Sequence, residues 1–438
     1  PSLRRVRAKC FWAVGEREAG LAALREAAAS GDARSVYQLV RALVDLGRLD
    51  EARGEADKVR QSNRMAASLV SLCRAVIELA ALDLDKAAQH GKDAVDEDPS
   101  SAEALRILTS IEVTRLETAR AWTALETLER HRKFRKVVAS VALSRARLTI
   151  FGQMLNEFDL HPQVTERARD LLRSPPGDGV DGLRVEVARE PGHTGVAIAY
   201  LIASRRAGRL AKTVDAMVTE GGSSIPRIVH QYWSDKELPP DVERAIAATR
   251  QGAGAAEHRL YDTAAVRSFL LRYHSTVVQR AFRLAMEPAR RADIFRLAVL
   301  AAVGGVYVDA DDLCLTYVDG FLPNGAGLVV GQERLGTIAN NVIAAAPRHP
   351  VIVAALEEAS EAMLHYSNES IWLATGPGLL TRHVAHYLAT SADHGADVAV
   401  LTDVEMTRAF AMHMPMRHKK SSADWRRGGS GRTRRKTR

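Results

Sequence analysis

The first third of this 438-residue chain places apolar residues at three- and four-residue spacing, a pattern typical of amphipathic helices. A Leu-(Asp/Glu)-x-Ala pattern recurs there at residues 49–52, 84–87 and 116–119, with spacings of 35 and 32 residues. Tetratricopeptide repeats recur about every 34 residues. We therefore predict a helical, tetratricopeptide-like repeat domain over residues 1–173, with a plain helical bundle as the alternative.

A zone rich in proline and glycine follows this helical third. Residues 174–182 and 189–195 concentrate both residue types, and residues 220–224 contain a Gly-Gly pair followed by two serines. Between them, residues 204–218 have a helical pattern. We predict a linker with one helical segment over residues 174–224.

The pattern changes to alternating strands and helices after residue 224. The run IPRIVHQYW at residues 225–233 is β-branched and aromatic, and short apolar runs that suit strands recur at residues 258–262 and 306–314. Helical runs separate them. This alternation predicts an α/β domain with a mainly parallel sheet over residues 225–425, followed by a basic, disordered tail over residues 426–438.

Composition and charge exclude several classes of protein. With 46% hydrophobic and 26% charged residues the chain is an ordinary globular sequence, and its three cysteines lie too far apart for a disulfide framework. The net charge of +8 is a property of the tail: residues 417–438 hold ten Lys/Arg and one Asp, a net of +9, which leaves −1 for the rest. We expect no nucleic-acid partner.

Location follows from the same features. The apolar runs are shorter than the roughly 18–20 residues that cross a bilayer, and the start of the chain lacks the apolar core of a signal peptide. We predict a cytoplasmic protein, with peripheral contact at the inner face of a membrane through the basic tail as the most that the charge supports.

The most informative segment lies at residues 290–312. A helix is predicted at residues 292–303, with Asp293 and Arg296 on the same side of its first turn. Gly304 and Gly305 then end the helix and allow a tight turn into a strand.

That strand delivers Asp309 and Asp311 at its carboxyl end, where ligands bind in open α/β sheets. With Asp312, three carboxylates stand within four residues, and their mutual repulsion favours a divalent cation. The sequence thus indicates a Mg²⁺ or Mn²⁺ site that bridges to a diphosphate, the alternative being an exposed acidic turn.

Four ordered blocks together resemble glycosyltransferases of family 32, the group with a sugar-binding region containing a DXD motif. That group includes the yeast initiating mannosyltransferase and is similar to the catalytic domains of clostridial glucosylating toxins. The blocks are IPRIVHQYW at 225–233, RRADIFRLAVLAAVGGVYVDADD at 290–312, NNVIAAAPRHPVI at 340–352 and ATGPGLLT at 374–381.

The resemblance implies a GT-A type nucleotide-sugar-binding fold and a role for individual residues. Asp311 is implied as the direct metal ligand, Asp309 as a contact to ribose, sugar and metal, and Asn341, or its neighbour Asn340, as facing the donor sugar. The residues implied to hold the nucleotide-sugar are Trp233 (stacked on the base), Asp293 and Arg296 (on the ribose and a sugar hydroxyl), Tyr307, Asp309 and Trp425.

The C-terminal block departs from the family's pattern. The family closes with a histidine and a Ser-Trp pair at the metal and diphosphate. Here His418 or His413 is the candidate histidine, with His418 preferred as a metal ligand, and Trp425 follows Asp424 rather than serine.

The function implied is a metal-dependent, Mn²⁺- or Mg²⁺-using hexosyltransferase. It would move a sugar from a UDP- or GDP-sugar to a hydroxyl of a glycan, lipid-linked or protein acceptor, with retention of configuration. The helical repeats would dock an acceptor or a protein partner. One alternative is a repeat-based interaction adaptor with an inactive glycosyltransferase-like domain, and another is a metal-dependent phosphohydrolase, which leaves the 225–233 block unexplained.

Overall fold

The computed structural model describes residues 2–59, 62–131, 145–210, 224–235, 237–365, 370–393, 395–412, 414 and 416. Within these ranges no helix is both long and apolar enough to cross a bilayer. The predicted helical N-terminal region and the mainly parallel sheet in the C-terminal half are both confirmed.

The N-terminal region is a succession of helices that pack in consecutive pairs, α1 on α2, α3 on α4, α5 on α6 and α7 on α8. They are α1 (Ser2–Ala13), α2 (Arg17–Ala28), α3 (Ala33–Asp45), α4 (Leu49–Asp57), α5 (Arg64–Ala80), α6 (Leu84–Glu97), α7 (Ala102–Thr114) and α8 (Thr118–His131).

The turn inside each of the last three pairs shows the register of the repeat. Gly47, Leu82 and Leu116 all have positive φ (74°, 60° and 59°), which ends the first helix of each pair. Five residues later, Ala52, Ala87 and Ala121 are each fully buried. The structural spacings are therefore 35 and 34 residues. The third sequence match, at residues 116–119, lies two residues out of this register.

Helices continue after residue 144, first within the predicted helical domain and then through residues 176–206 of the predicted linker. They are α9 (Ile150–Leu160), α10 (Pro162–Arg173), α11 (Pro176–Arg189) and α12 (Thr194–Arg206). The helical prediction for 204–218 holds at residues 204–206, the end of α12, and residues 211–223 lie outside the described part of the chain. The prediction of only one helical segment missed α11 and the first ten residues of α12.

The glycines of that region serve helix packing rather than a loop. A Cβ at Gly179 would stand 2.5 Å from the carbonyl oxygen of Leu171, and one at Gly182 would stand 2.4 Å from a methyl group of the same leucine. Only glycine lets α11 approach α10 this closely, and Pro176 occupies the first turn of α11, where proline is tolerated. A Pro/Gly-rich stretch was thus mistaken for a boundary.

The C-terminal half is built around a six-stranded sheet in the order β2-β1-β3-β6-β5-β7. Strands β1 (Ile228–Tyr232), β2 (Glu257–Tyr261), β3 (Gly305–Val308), β5 (Leu328–Gln332) and β7 (Val398–Thr402) run in one direction, and β6 (Ile338–Ala345) runs in the other. A separate two-stranded ladder pairs β4 (Leu313–Cys314) with β8 (Phe410–Ala411).

The helices of this half are α13 (Pro240–Gly252), α14 (Thr263–Tyr273), α15 (Thr276–Leu284), α16 (Pro288–Val303), α17 (Pro350–Leu364), α18 (Ile371–Ala374), α19 (Pro377–Thr390) and α20 (Asp403–Ala409).

Helix α12 joins the two halves, and residues 194–204 are buried along its whole length. Arg205 at its end donates to Gln332 Oε1 (2.9 Å) and to the carbonyl of Val400 (2.6 Å), on strands β5 and β7. Farther from α12, Arg334 bridges Asp45 of α3 (2.6 Å) and Asp403 of α20 (2.9 Å). One hydrophobic cluster contains buried side chains of both halves, and three smaller clusters lie within the C-terminal half.

Replacing Gly47 with alanine tests this junction. The substitution forces a Cβ onto a residue with φ of +74° and places it 2.8 Å from Val404 of α20, so we expect the free energy of unfolding to fall by about 1–2 kcal/mol. The measurement is chemical or thermal denaturation. Gly31→Ala is the matched control: Gly31 has a φ of +72° and nothing within 4 Å of its Cβ position, so it has the backbone strain without the contact and should lose less stability, about 1 kcal/mol. Equal effects of the two substitutions would contradict the contact.

Candidate functional site

The helix–Gly-Gly–strand segment forms as predicted, but its helix begins earlier. Helix α16 starts at Pro288 rather than residue 292, so Asp293 lies in its second turn and Arg296 in its third. Gly304 (φ 67°) and Gly305 (φ 108°) make the turn into β3. A Cβ at Gly305 would stand 2.5 Å from the carbonyl oxygen of Ile228, which explains why glycine is needed here.

Three strand ends meet where β3 finishes. Strand β3 lies between β1 and β6. The backbone N–H of Asp309 donates to the carbonyl of Asn341 (2.8 Å), and the side-chain amide of Gln231 donates to the carbonyl of Asp309 (3.3 Å). The carboxyl ends of β1 and β3 and the first residues of β6 therefore form one edge, which is where an open sheet binds its ligands.

Arg296 is the centre of the buried polar network at this edge. Only 4% of the residue is exposed. Its Nη2 donates to Asp309 Oδ1 (2.9 Å). Its Nη1 lies 3.3 Å from Asp293 Oδ1 and also donates to the carbonyl of Asn340. The guanidinium carbon lies 4.9 Å from the centre of the Tyr307 ring. Burial lowers the pKa of Arg296, but Asp309 and Asp293 outweigh this effect and hold the pKa above its ordinary value.

Asp293 is buried as deeply as Arg296. Its carboxylate accepts hydrogen bonds from Asn340 Nδ2 (3.0 Å) and from Thr375 Oγ1 (2.9 Å). Burial raises the pKa of Asp293 to about 6, and the charge of Arg296 opposes the rise. The Thr-Gly-Pro block thus contributes Thr375, a positioning residue that the sequence motif did not reveal.

The two adjacent asparagines of β6 serve different carboxylates. Asn340 donates to Asp293 on the α16 side, whereas Asn341 Nδ2 donates to Asp312 Oδ2 (2.5 Å) on the side of the acidic turn. This difference follows from the alternation of side chains along a strand. Asp312 is 3% exposed, so it is a structural anchor of the turn, while Asp309 and Asp311 are each partly exposed.

Trp233 borders the same edge from the end of β1. Its backbone N–H donates to the carbonyl of Tyr261 (3.0 Å), and its ring packs on a small apolar cluster that includes Ala310, the residue between Asp309 and Asp311. It lines a cavity of about 310 Å³ whose walls are Trp233, Asp235, Leu238, Leu260, Tyr261, Asp262 and Ala265. The predicted Trp233 and the acidic turn are thereby brought together.

The donor set fits a hard cation that shares its coordination with a ligand. Across the described ranges, no group of three or more His, Cys, Asp or Glu side chains could hold a metal ion by itself. Asp309 and Asp312 are already engaged by Arg296 and Asn341. Mg²⁺ and Mn²⁺ are often bound by one or two carboxylates, with waters and substrate phosphates completing the sphere. Asp311 together with Asp309 matches that pattern.

The C-terminal candidates His413, His418 and Trp425 lie outside the described residues. The described chain leads toward them beside the site: β8 pairs with β4, which follows the acidic turn directly, and Met414 and Met416 pack near Ala245 of α13. Their roles stay predictions.

The histidine of the IPRIVHQYW block has a structural role. His230 is fully buried, with Nε2 2.9 Å from the carbonyl of Gly304 and Nδ1 3.3 Å from the hydroxyl of Tyr261. It ties β1 to the Gly-Gly turn and to β2. Burial lowers its pKa to about 4, so the imidazole is neutral in the folded protein at pH 7.

Comparison with known proteins places part of this chain beside named glycosyltransferases. Residues 228–326 match the family "Glycosyltransferase sugar-binding region containing DXD motif", which confirms the resemblance given by the motif blocks. Inositol phosphoceramide mannosyltransferase 1 of Schizosaccharomyces pombe is 26% identical over 171 residues, 38% of this chain and 53% of that protein.

Two further similarities were found. The initiation-specific alpha-1,6-mannosyltransferase of S. pombe is 29% identical over 137 residues, 25% of this chain and 35% of that protein. The chain therefore spans about half, or less, of the length of these relatives. The solved PaToxG glycosyltransferase aligns with 49% of this chain and 93% of its own at 15% identity, with a TM-score of 0.31.

Thr375→Val removes the hydroxyl that donates to Asp293 while conserving shape. Because a hydrogen bond to a buried charged group is lost, we expect the free energy of unfolding at pH 7.5 to fall by about 1.5–3 kcal/mol. Thr375→Ser keeps the hydroxyl, so the free energy of unfolding should fall less in that variant. Denaturation curves of the three proteins measure this difference, and equal stability of the valine and serine variants would contradict the role given to the hydroxyl.

The neutral, buried His230 predicts a loss of stability in mild acid. Its folded pKa of about 4 lies below the ordinary 6.5, so its contribution is complete above pH 6.5 and is lost as pH falls toward 4. We expect this histidine to account for about 2–3 kcal/mol of the loss. His230→Gln retains a donor but does not titrate, and its stability should decline less steeply over the same range. If the free energy of unfolding of the two proteins declined equally steeply between pH 6.5 and pH 4, the role given to His230 would be wrong.

Proposed function

We propose that this chain is a glycosyltransferase that transfers a hexose from a nucleotide-diphosphate sugar to an acceptor hydroxyl. The observation that carries the proposal is the Asp293–Arg296–Asp309 network at the end of β3, beside Trp233 and inside the segment that matches the family. The named mannosyltransferase and glycosyltransferase relatives support a hexosyl group.

Each residue at the sheet edge has a part in holding the donor. Trp233 lines the cavity and supplies a rigid aromatic plane for the nucleotide base. Arg296 holds Asp309 through Oδ1, and this partly exposed carboxylate faces the edge where we propose that ribose and sugar hydroxyls bind. Asp293 and Tyr307 are both buried, so we assign them to the support of Arg296 rather than to direct contact with the donor.

The proposal includes a divalent cation, Mn²⁺ or Mg²⁺, held by Asp311 and Asp309. When bound, it neutralises the negative charge that develops on the leaving diphosphate. His418 is the proposed further ligand, and Trp425 the proposed diphosphate contact. The support for these two is the course of β8, which returns the chain to the acidic turn just before them.

The stereochemical outcome proposed is retention, as the family resemblance implies. The chain's own contribution is positional: Asn341 holds Asp312, Asp312 donates its backbone N–H to the Asp309 carbonyl (3.1 Å), and the acidic turn is fixed before a donor binds. A site organised in advance does not need to reorient its dipoles during bond cleavage. Asn341, which the resemblance implied as facing the sugar, is proposed to act through this turn.

The relatives suggest which acceptor to test first. Several of them are named inositol phosphoceramide mannosyltransferases, and by their names they act on a lipid. We extend this to a lipid-linked or glycan acceptor and to mannose as the first hexose to test.

The finer fold assignments belong to the same proposal. The C-terminal half is proposed to be a GT-A type domain over residues 225–425, and α3–α8 to be tetratricopeptide-like repeats, supported by the 35- and 34-residue register of buried alanines. These repeats would present a surface to a protein partner or acceptor. A cytoplasmic location is proposed with them, on the composition of the chain alone.

The test is release of free nucleotide from UDP- and GDP-sugars, with Mn²⁺ and with a chelator. We expect Mn²⁺-dependent hydrolysis that falls about 100-fold or more in Asp311→Asn, because the carboxylate that holds the cation loses its charge. Asp50→Asn is the matched control: Asp50 is fully exposed on α4, and that variant should keep the parent rate.

Three outcomes would contradict the proposal. No hydrolysis, together with no thermal stabilisation by Mn²⁺ plus nucleotide, would favour the interaction adaptor. Release of inorganic phosphate without a free or transferred sugar would favour a phosphohydrolase. An Asp311→Asn variant as active as the parent would remove Asp311 from the site.

A further inference from the structure

Helices α14 and α15 expose large apolar side chains that the donor site does not use. Leu271 is 70% exposed, Met286 72%, Tyr273 45% and Val277 44%. These four fall within 16 consecutive residues. A single exposed apolar residue needs no explanation, but a group of this kind marks an interaction surface.

The buried faces of the two helices show that this exposure is not a packing defect. Val266 and Leu270 of α14 are buried, as are Val278, Ala281 and Phe282 of α15. Each helix therefore has its own buried face against the core, and the exposed leucine, valine and methionine are additional. We call the exposed side chains of residues 263–286 the α14–α15 surface.

The α14–α15 surface is also strongly basic. Residues 263–286 contain four arginines and no Asp or Glu, so the net charge is 4 − 0 = +4 with His274 neutral. Arg267, Arg272, Arg280 and Arg283 are all exposed. None of them forms an ion pair with a carboxylate of the residues that the structure describes, unlike most arginines of the helical region. Arg272 lies over the ring of Tyr273 (5.2 Å).

We propose that the α14–α15 surface docks on an anionic lipid membrane. Phosphate head groups complement the four positive charges that have no carboxylate partner among the described residues, while the acyl boundary receives the exposed Leu271, Val277 and Met286. Arginine extends to head groups while its aliphatic part packs on apolar neighbours, and tyrosine favours the interface. An RNA would satisfy the arginines but leave the exposed aliphatic side chains in water.

The position of the surface relative to the donor site gives the docking a purpose. Asp262 caps α14 and lines the cavity beside Trp233, as does Ala265 in the first turn of α14. Beyond α15 the chain enters α16, which carries Arg296. The cavity lies at the N-terminal end of α14, and Leu271 and Tyr273 lie in the last turn of the same helix, so a bilayer held at this surface would be about one helix length from the donor cavity. That consequence, access to a lipid-linked acceptor, rests on the proposed function, whereas the docking itself does not.

The test is cosedimentation of the full chain with vesicles of phosphatidylcholine, alone or with roughly one-third phosphatidylserine. We expect binding to the anionic vesicles only. Arg280→Glu with Arg283→Glu should lower the partition coefficient about tenfold or more, since each reversal replaces attraction with repulsion. Leu271→Ser with Met286→Ser should lower it about fivefold or more, because the inserted apolar area is lost.

Arg34→Glu with Arg64→Glu is the matched control. It makes the same change in total charge on exposed residues at the starts of α3 and α5, away from this surface, and should bind within about twofold of the parent. The basic tail is present in every protein compared. If the tail alone drives binding, all four proteins bind equally, and the proposal is overturned.

Two further results would also overturn it. The first is loss of vesicle binding in the arginine variant but not in the Leu271/Met286 variant, together with full competition by soluble polyphosphate. That result would show a general polyanion-binding site. Binding to neutral vesicles as strong as to anionic ones would remove the role of charge. Hydrolysis of the soluble donor, measured in parallel, should be unchanged in these variants, so a failure of the proposed function appears as an inactive parent and is separate from vesicle binding.

Discussion

The rest of the site depends on the ion pairs and hydrogen bond of the buried Arg296 guanidinium. It comes from α16, pairs with Asp293 of the same helix and with Asp309 after β3, and donates to a backbone carbonyl of β6. Taking an isolated charge out of water costs several kcal/mol, so the arrangement persists only while both carboxylates remain. Helix, strand and neighbouring strand are thereby locked in one register, and that register fixes where Asp311 lies.

The same logic connects the helical region to the sheet. Arg205 and Arg334 are largely buried arginines that reach across the junction: Arg205 of α12 bonds to β5 and β7, and Arg334 bonds to Asp45 of α3 as well as to Asp403 of its own half. Around them α12 contributes a continuous apolar stretch, and Gly336 lets the turn between β5 and β6 approach Ile202 closely, since a Cβ there would stand 2.7 Å from that side chain. The helical repeats are thus fixed relative to the sheet, and a partner bound on them would be held at a fixed distance from the acidic turn.

What the sequence predicted well was local in character. The helix, the Gly-Gly turn, the strand and the carboxylates after it occupy some 20 consecutive residues, and each step follows from spacing and backbone preference.

The features that the sequence did not predict depend on contacts between residues distant in sequence. Thr375 reaches Asp293 across 82 residues, and Asn340 reaches it across 47. The glycines at 179 and 182 resembled a linker because their neighbour Leu171 is visible only once α10 and α11 are packed. The repeat register was misplaced at its third unit because a loose pattern of Leu, acid and Ala does not identify the turn residue with positive φ.

The order of the strands explains why so many of the candidate site residues lie at one edge of the sheet. Along the sheet the strands stand in the order β2-β1-β3. Tyr261 and Asp262 lie at the carboxyl end of β2, Trp233 at that of β1 and Asp309 at that of β3, so the cavity and the acidic turn are neighbours along this edge. The chain leaves β2 through α14 and returns to β3 through α16, which makes α14 and α15 the direct connection between cavity wall and Arg296. The α14–α15 surface therefore lies on a stretch of chain that begins at the cavity wall, at Asp262 and Ala265, and ends in the helix that carries Arg296. A membrane docked there, as proposed, would be held by elements that are continuous in the chain with both parts of the site.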